Sequence, residues 1–417
     1  MAFEHPIGLS WFGTKPCIVI RLTYIWNMEN SLSQLRKFVA PEFIFGSGAS
    51  LKATQYIRAF GAQKILLVSD EGLVQVGWVD RIEEQLREAG LNYMRYTAVS
   101  PNPRDHEVEA GARLFQSEGC DMLLALGGGS PMDCAKGIGA LVSNDGDVLD
   151  FEGVDNIPLP MPPLLCIPTT AGTSADVSQF AIILDTKRSV KIAIISKGVV
   201  PDISLIDPDL TCTMDPELTA ETGLDALTHA MEAWVSNASS PVTDIHSLAA
   251  MEYLVRWLPE AMVKPADTSV RAGVMMGSLL AGLAFSNASL GIVHAMAHSL
   301  GGLLDLPHGL CNALLLEHAA VFNFHHAPQR YRKAAEVLAG RALLDESDSV
   351  VVEVLADSLA RLRRRLKLGD TIQCRPLSAD TLNQLAQRAL ADPCLVTNPR
   401  KPSAQEIREL YARILPV

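Results

Sequence analysis

The sequence predicts an α/β domain built on a parallel sheet, followed by a domain made of helices. The chain has 417 residues, more than the ~250–300 residues at which a single hydrophobic core stops growing. Strand and helix patterns alternate from Phe43 to about residue 208, and strand patterns nearly vanish after Asp215. Strands that alternate with helices indicate βαβ units and a parallel sheet.

Each predicted strand of the first half is a short apolar run that ends at a glycine, a proline or a polar turn. Residues 64–70 (KILLVSD) are one such run. The helix after it has apolar residues on one face from Val79 to Ala89 and stops at Gly90. We predict strands at residues 43–45, 64–70, 93–96, 122–126 and 164–167, and helices at residues 51–60, 79–89, 106–118 and from 131 onward.

The second half consists of long segments with helical periodicity. Thr243-Asp244 and Asp267 are typical helix starts. The predicted helices span residues 223–234, 244–258, 270–285, 290–303, 311–322, 349–366, 379–390 and 404–415. Since no repeat or low-complexity linker separates the halves, we expect them to pack around a shared cleft. We predict a peripheral extension at 1–27, an α/β domain at 28–210 and an all-helical domain at 211–417.

The composition limits the classes of partner and compartment. With 48% hydrophobic and 20% charged residues, the chain can build large cores. Its net charge of −12 argues against nucleic acid and anionic membranes as partners. No uninterrupted apolar run reaches about 18 residues, so we expect no membrane-spanning helix. The eight cysteines are scattered without a CxxC pair, which suits a reducing cytoplasm.

The most informative turn of the first half is Gly127-Gly-Gly129, which follows a predicted strand and precedes a helix. Glycines let backbone N–H groups approach a pyrophosphate closely, and a helix N-terminus adds partial positive charge. The turn is not the GxGxxG fingerprint of dinucleotide-binding proteins, so a purely structural turn is the alternative.

Two other strand ends carry polar residues. Asp70 lies where open α/β sheets bind ligands, and there it can accept a bond from a ribose hydroxyl and repel a 2′-phosphate. This favours NAD over NADP, although an aspartate that only forms a turn is the alternative. Residues 168–176 (PTTAGTSAD) offer hydroxyls and a glycine, either to a ligand or to the loop's own backbone.

A cluster in the second half suggests a metal site. Asp225 and His229 are four residues apart, as are His294 and His298, so each pair lies on one helix face. His308 follows behind a Gly/Pro turn that can return it to the same site. One carboxylate with several imidazoles is a ligand set for Zn²⁺ or Fe²⁺. The alternative is two unrelated helical pairs that only pack or face solvent.

Together these residues resemble the iron-containing (group III) alcohol dehydrogenase family from about residue 40 to the end of the chain. The motifs appear in the family's order and are GGGSPMD at 127–133, PTTAGT at 168–173, GLDALTHAME at 223–232, GIVHAMAHSLG at 291–301, PHG at 307–309 and NPR at 398–400. One segment departs from the family pattern: the family commonly has Gly-Thr-Gly-Ser-Glu where this chain has Gly172-Thr-Ser-Ala-Asp176.

The resemblance implies a Rossmann-like dinucleotide-binding domain followed by an all-helical metal-binding domain. It implies that the metal ligands are Asp225, His229, His294 and His308. His298 matches a position close to the nicotinamide, where it either relays a proton as a catalytic residue or orients the ring. The residues that match cofactor-contacting positions are Asp70, Asn102, Gly128, Gly129, Ser130, Asp133, Thr169, Thr170, Thr173 and Lys191.

The function implied is that of a metal-dependent alcohol dehydrogenase or aldehyde reductase, which moves hydride between a metal-bound alcohol or carbonyl and the nicotinamide. The cofactors expected are NAD rather than NADP and Fe²⁺, with Zn²⁺ as the alternative. We also expect a small-molecule substrate, a homo-oligomer and a cytoplasmic location. A lyase of the dehydroquinate-synthase-like group and a regulatory protein with little turnover are the alternatives.

Overall fold

The computed structural model of the chain describes residues 37–416. The predicted extension, residues 1–27, lies outside the described residues. Strands occur only before residue 207 in the described part, and they are β1 (Glu42–Phe45), β2 (Lys64–Val68), β3 (Asn92–Tyr96), β4 (Met122–Gly127), β5 (Gly153–Val154), β6 (Leu164–Pro168), β7 (Phe180–Asp185), β8 (Val190–Ile195) and β9 (Ile203–Ile206).

Six of these strands form a parallel sheet in the order β1-β9-β6-β4-β2-β3. Helices cover both of its faces, namely α1 (Ala53–Ala59), α2 (Glu71–Gln75), α3 (Trp78–Glu88), α4 (Asp105–Ser117) and α5 (Gly129–Ser143). Side chains of a strand alternate between faces. Ile65 and Leu67 therefore join one core cluster with α1 and α3, whereas Leu66 and Val68 join another with α4 and α5.

The rest of the described chain is helical. Its helices are α6 (Pro216–Val235), α7 (Pro241–Val263), α8 (Thr268–Ala288), α9 (Ile292–Leu304), α10 (His308–Asn323), α11 (Pro328–Ala339), α12 (Asp348–Arg365), α13 (Ala379–Ala391) and α14 (Ala404–Tyr411). A parallel α/β sheet followed by helices is the fold class that the sequence predicts, and the structure confirms it.

Helix α8 is long and apolar enough to span a membrane by length and composition, but 72% of its apolar window is buried inside the fold. It packs closely against α6 and α7. A Cβ atom added to Gly277 would lie 2.7 Å from the side chain of Leu254 on α7. Helix α8 therefore has the surroundings of a core helix.

The structure adds elements that the sequence patterns did not predict. Strands β7 and β8 form an antiparallel hairpin that β5 extends into a small second sheet. Helix α11 is mostly polar, and only Tyr331, Ala334 and Ala335 are fully buried in it, so its apolar stripe is too narrow for a clear periodicity. Helix α5 begins at Gly129, two residues before the predicted start.

Residues 172–176, where this sequence departs from the family pattern, pack closely against neighbouring elements. Ser174 adopts a φ of +51°, in the left-handed region where glycine is favoured. Its hydroxyl donates to the backbone oxygen of Ser278 at 2.8 Å, and a Cβ atom on Gly282 would collide with it. Asp176 is buried and accepts a bond from the Ser204 hydroxyl at 2.7 Å. Neither Ser174 nor Asp176 lines the cavities described below.

Candidate active site

The carboxyl ends of β2, β4 and β6 open into a cleft of about 910 Å³, and helices α6 and α10 supply the opposite wall. Carboxyl ends of parallel strands meet at one edge of a sheet, so turns far apart in sequence line the same space. Most of the predicted cofactor residues lie here, namely Asp70, Asn102, Gly128, Gly129, Ser130, Thr169, Thr170 and Thr173.

The glycine turn at residues 127–129 contacts the loop at residues 168–176, which we name the threonine loop, and both line this cleft. A Cβ atom on Gly128 would lie 3.2 Å from the Thr170 side chain, and one on Gly129 would lie 2.9 Å from that of Thr173. Helix α5 begins at Gly129 without a capping side chain. Its first N–H groups are therefore free for an anion bound in the cleft.

Asp70 combines the two interpretations that the sequence allowed. Its carboxylate caps helix α2 by accepting a bond from the Leu73 nitrogen at 3.0 Å. The same side chain lines the cleft, and burial raises its pKa above the ordinary range. A helix cap therefore holds this carboxylate at the end of the cleft.

An inner cavity of about 120 Å³ lies beside the cleft. The remaining predicted site residues, Asp133, Lys191 and His298, line it together with apolar side chains such as Phe180, Ile182, Phe285 and Leu290. Burial raises the pKa of Asp133 to about 7 and lowers that of Lys191. Asp225 and His308 line both spaces, so the cleft and the inner cavity meet at the predicted metal site.

At this junction the three predicted imidazole ligands surround the carboxylate of Asp225. From Oδ1 of Asp225, the Nε2 atoms of His294, His229 and His308 are 3.5, 3.7 and 3.8 Å away. Ligand atoms about 2.0–2.2 Å from a divalent ion lie roughly 3 to 3.5 Å from one another. The three distances from Asp225 are slightly wider than that. The ligand atoms of Asp225, His294 and His308 lie within 4.8 Å of one another, and His229 adjoins this compact group through Asp225.

The hydrogen bonds at this point leave room for a cation. Asn312 is fully buried, and its amide nitrogen lies 2.7 Å from Oδ1 of Asp225 and 3.1 Å from Nε2 of both His294 and His308. An amide nitrogen carries only two hydrogens, so it cannot satisfy three acceptors and the Nε2 atom of His229 as well. Buried lone pairs that outnumber their donors are the environment that a metal ion satisfies. The residues present therefore fit the ion.

Two of the three proposed imidazole ligands are neutral in the absence of a metal, and the third, His294, holds a proton that a bound ion must displace. Burial lowers the pKa of His229 to about 4, and it also lowers that of His308, so both rings are neutral near pH 7. Burial opposes the ionisation of Asp225, but the surrounding imidazoles outweigh it and hold its pKa far below the ordinary range. Burial likewise opposes protonation of His294, whereas hydrogen bonds to Asp225 and Glu232 raise its pKa to about 9.

Residues outside the predicted set hold the proposed ligands in place. Glu232 on α6 accepts a 2.6 Å bond from Nδ1 of His294, which turns Nε2 toward Asp225. His229 is instead held by stacking, with ring centroids 4.2 Å from Phe285 and 4.6 Å from His294. The sequence contains a signal for Glu232, since it follows His229 by three residues on the same helix face. Asn312 likewise follows His308 by one helical turn.

His298 stands apart from the four ligands. Its Nδ1 atom lies 2.8 Å from a carboxylate oxygen of Asp392. Its ring stacks on that of His308 with centroids 5.3 Å apart and planes 14° from parallel. The ring therefore lies beside the ligand set and borders the inner cavity.

Residues 40–208 match the family described as iron-containing alcohol dehydrogenase, and residues 219–415 match the C-terminal part of the same family. This chain belongs to the iron-containing alcohol dehydrogenase family. Members of this family couple a parallel α/β domain to a helical domain, and the chain shares that architecture throughout the matched residues.

Relatives in the iron-containing alcohol dehydrogenase family match almost end to end. The chain is 38% identical to 1,3-propanediol dehydrogenase of Citrobacter freundii over 88% of its own length and 95% of the relative's. It is 37% identical to alcohol dehydrogenase 4 of Schizosaccharomyces pombe over 90% of its length and 88% of the relative's. The solved structure of a 1,3-propanediol oxidoreductase superposes with a TM-score of 0.87 at 36% identity, covering 91% of this chain and 99% of that one.

Membership of the iron-containing alcohol dehydrogenase family identifies the chemistry. The protein is a metal-dependent, NAD-linked oxidoreductase that acts on small-molecule alcohols or aldehydes, and its metal is Fe²⁺. This favours the dehydrogenase prediction over the lyase and regulatory alternatives.

Proposed function

We propose that this protein is a dehydrogenase of short, uncharged alcohols and aldehydes whose metal is held by Asp225, His229, His294 and His308. The observation that carries the ligand assignment is the approach of three Nε2 atoms to Oδ1 of Asp225, at 3.5 to 3.8 Å. The ion, when bound, supplies Lewis acidity toward the substrate oxygen. The chain's own residues must then bind the dinucleotide, enclose the substrate and move the proton.

The cleft is the proposed site for NAD. The free N–H groups at the start of α5 and the hydroxyls of the threonine loop are donors for the pyrophosphate. The Asp70 carboxylate at the strand end is an acceptor for a ribose hydroxyl. Asn102 lines both the cleft and the inner cavity, and Asp133 and Lys191 line the inner cavity alone. This order supports a binding mode in which the nicotinamide end of the dinucleotide lies at the junction, beside the four proposed ligands.

His298 is the proposed proton acceptor. When bound, NAD would supply the hydride acceptor for oxidation of the alcohol carbon to the aldehyde. His298 would take the proton of the hydroxyl group on Nε2 and return it to solvent. In reduction, the same ring donates the proton to the oxygen that becomes the hydroxyl.

The inner cavity supports a small substrate with an apolar chain. Its volume of about 120 Å³ accommodates a few non-hydrogen atoms beside the nicotinamide. Phe180, Phe285 and Leu290 line the wall, and such a wall favours methyl and methylene groups over additional hydroxyls or charges. A panel of ethanol, 1-propanol, 1-butanol, 1-hexanol, 1,3-propanediol and lactate should show the highest kcat/KM for a linear alcohol of two to four carbons, a limit estimated from that volume.

The domain boundary, the assembly and the compartment are part of the same proposal. We place the boundary between residues 210 and 211, because the last strand ends at Ile206 and α6 begins at Pro216. We infer a homo-oligomer, since β1 is paired on one edge only within the described chain and exposes Phe43 there. The cysteines of the described part are unpaired, which supports a cytoplasmic location.

Three variants test the assignment of roles. Asp225→Asn and His308→Ala should each lose bound metal and NADH formation together, because each removes one ligand. His298→Gln should retain the metal and NAD binding but lose about 10²–10⁴-fold in kcat, the usual range for a general acid–base group. Metal content, calorimetry with NAD and initial rates with 1-propanol are the measurements. Full metal content in Asp225→Asn would overturn the ligand assignment.

A further inference from the structure

The segment 392–400, which we name the C-terminal clamp, lies along helix α9 and the two residues before it. It includes the Asn-Pro-Arg motif to which the proposed function assigns no role. Thr397 donates from its hydroxyl to the backbone oxygen of Leu290 at 2.7 Å, and Asn398 accepts from the nitrogen of Ile292 at 3.2 Å. Asp392 contacts His298 further along the helix. The clamp therefore contacts the active-site helix at its start and beside the proposed proton acceptor.

The start of α9 is held from two sides. Asn398 is buried and exchanges amide hydrogen bonds of 2.9 and 3.0 Å with Asn323 on α10. Glu232 accepts from the nitrogen of Val293 at 2.7 Å. A Cβ atom on Gly291 would lie 2.8 Å from Oδ1 of Asn398 and 2.9 Å from Oε1 of Glu232. Side chains from distant parts of the sequence therefore satisfy N–H groups at the helix start that no local side chain caps.

Asp392 is the clamp residue that reaches the active site. One carboxylate oxygen accepts from Nδ1 of His298 at 2.8 Å, and the other accepts from the nitrogen of Cys394 at 2.8 Å. The side chains of His298 and Asp392 are only 5% and 8% exposed. Burial opposes the ionisation of Asp392, but His298 and the bonds from Cys394 outweigh it and lower its pKa.

An ionised carboxylate only accepts hydrogen bonds, so Nδ1 of His298 must carry the hydrogen. In the neutral ring the lone pair then lies on Nε2. Within residues 37–416, Nε2 of His298 forms no hydrogen bond, and the ring borders the inner cavity. The contact with Asp392 thus selects the tautomer that can accept a proton from the cavity side.

We propose that Asp392 is a positioning residue that holds His298 in the Nδ1–H tautomer, with its Nε2 lone pair directed to the substrate. This inference rests on the proposed role of His298. Asp392 does not touch the substrate or the nicotinamide, and it acts only through the imidazole. The C-terminal clamp also holds α9, so the position of the ring and the choice of tautomer come from the same segment.

The kinetic test compares single and double variants of the metal-loaded enzyme with 1-propanol. Asp392→Ala should lower kcat by about 10²–10⁴-fold, the range of a general acid–base group, with unchanged metal content and a KM for NAD within about threefold. Asp392→Glu should recover part of the rate. Asp380→Ala, on the exposed face of the helix before the clamp, is the matched control and should retain the parental rate.

The double variant separates positioning from a general structural role. In the His298→Gln background, Asp392→Ala should cause no further loss of kcat, because the carboxylate acts through the absent ring. Equal losses in both backgrounds would overturn the proposal. So would the loss of a second bound metal in Asp392→Ala, since His298, Asp392 and Cys394 place potential ligand atoms within 4.8 Å of one another.

A spectroscopic readout tests the tautomer without turnover. In Zn²⁺-loaded protein labelled with ¹⁵N-histidine, the His298 signals are those absent from the spectrum of His298→Gln. They should report hydrogen on Nδ1 in the parent and a shift toward Nε2–H in Asp392→Ala. An unchanged tautomer would overturn the positioning role. Full turnover by His298→Gln would instead overturn the proposed proton acceptor, so the two failures are distinguishable.

Discussion

Glu232 and His294 form a buried hydrogen bond of 2.6 Å, from the imidazole Nδ1 to a carboxylate oxygen, although they are 62 residues apart in the sequence. The bond directs the opposite nitrogen of His294 to the point where the other proposed ligands converge. A carboxylate behind a metal-binding imidazole is a common way to fix its orientation and raise its basicity.

Glu232→Gln should therefore weaken metal binding by about 10–100-fold, the usual effect of losing such a partner. The amide oxygen can still accept from Val293, so the helix start should remain intact. Competition with a chelator measures the affinity. Glu217→Gln, on the exposed first turn of the same helix, is the control. An unchanged dissociation constant in Glu232→Gln would contradict the orienting role.

Asp70→Asn should shift cofactor preference toward NADP. The amide retains the cap of helix α2 but removes the negative charge that repels a 2′-phosphate. We expect the ratio of kcat/KM for NADP over NAD to rise by about 10-fold, the equivalent of roughly 1.4 kcal/mol. Initial rates with both cofactors provide the measurement, with Glu84→Gln on α3 as the control. A constant ratio would show that Asp70 acts only as the helix cap.

Glu221 should make stability depend on pH. Burial, with Glu217 and Asp215 nearby, raises its pKa from 4.5 to about 7. The folded chain then holds this proton more tightly than the unfolded chain does. The contribution of Glu221 is fully present below pH 4.5, declines as pH rises toward 7 and stays low above that.

The difference in unfolding free energy between the parent and Glu221→Gln should follow this decline. Urea denaturation of chelator-treated protein between pH 4.5 and 8 measures it, and Glu353→Gln on α12 serves as the control. A difference that stays constant across this range would contradict the raised pKa.

Gly282→Ala should destabilise the fold, because the new methyl group collides with Ser174 and lies 2.7 Å from a methyl of Val177. We expect a loss of about 1–3 kcal/mol. Ser174→Gly alone should change stability by less than about 1 kcal/mol, since relief of the left-handed conformation offsets the lost bond to Ser278.

In the double variant, Ser174→Gly should recover part of the loss caused by Gly282→Ala. Chemical denaturation of all four proteins completes the cycle. Strictly additive losses would show that Ser174 and Gly282 do not constrain each other. Coupling would explain how this chain accommodates a serine at a left-handed position where the family pattern has glycine.

The strands and helices that the sequence predicted are those whose pattern is local. Strand β2 is a continuous apolar run because it is buried on both faces, and α3 repeats its apolar residues at helical spacing. Strands β7 and β8 were not predicted, although the polar residues 186–189 between two apolar runs are a hairpin signal. Helix α11 was not predicted because few of its residues are buried in the core, so its sequence shows little apolar periodicity.

The candidate site also contains residues that a local sequence pattern indicates and residues that no such pattern indicates. The pairs Asp225/His229 and His294/His298 were visible because residues four apart share a helix face. Their partners were less visible, since Glu232 acts on a histidine 62 residues away and Asp392 on one 94 residues away. The amide nitrogen of Asn312 lies within hydrogen-bond distance of side chains from three helices, and no local pattern indicates that arrangement.

By itself the sequence determined the fold class and, through its motifs, the family, and it supplied the candidate residues for the metal and dinucleotide sites. Only the tertiary structure decided which nitrogen of His294 faces the junction, and that Glu232 orients His294 and Asp392 orients His298. It also decided that the cleft and the inner cavity meet at Asp225 and His308. Periodicity and turn chemistry act between near neighbours in the chain. Tautomers, burial and shared cavities depend instead on contacts that form only when distant segments pack together.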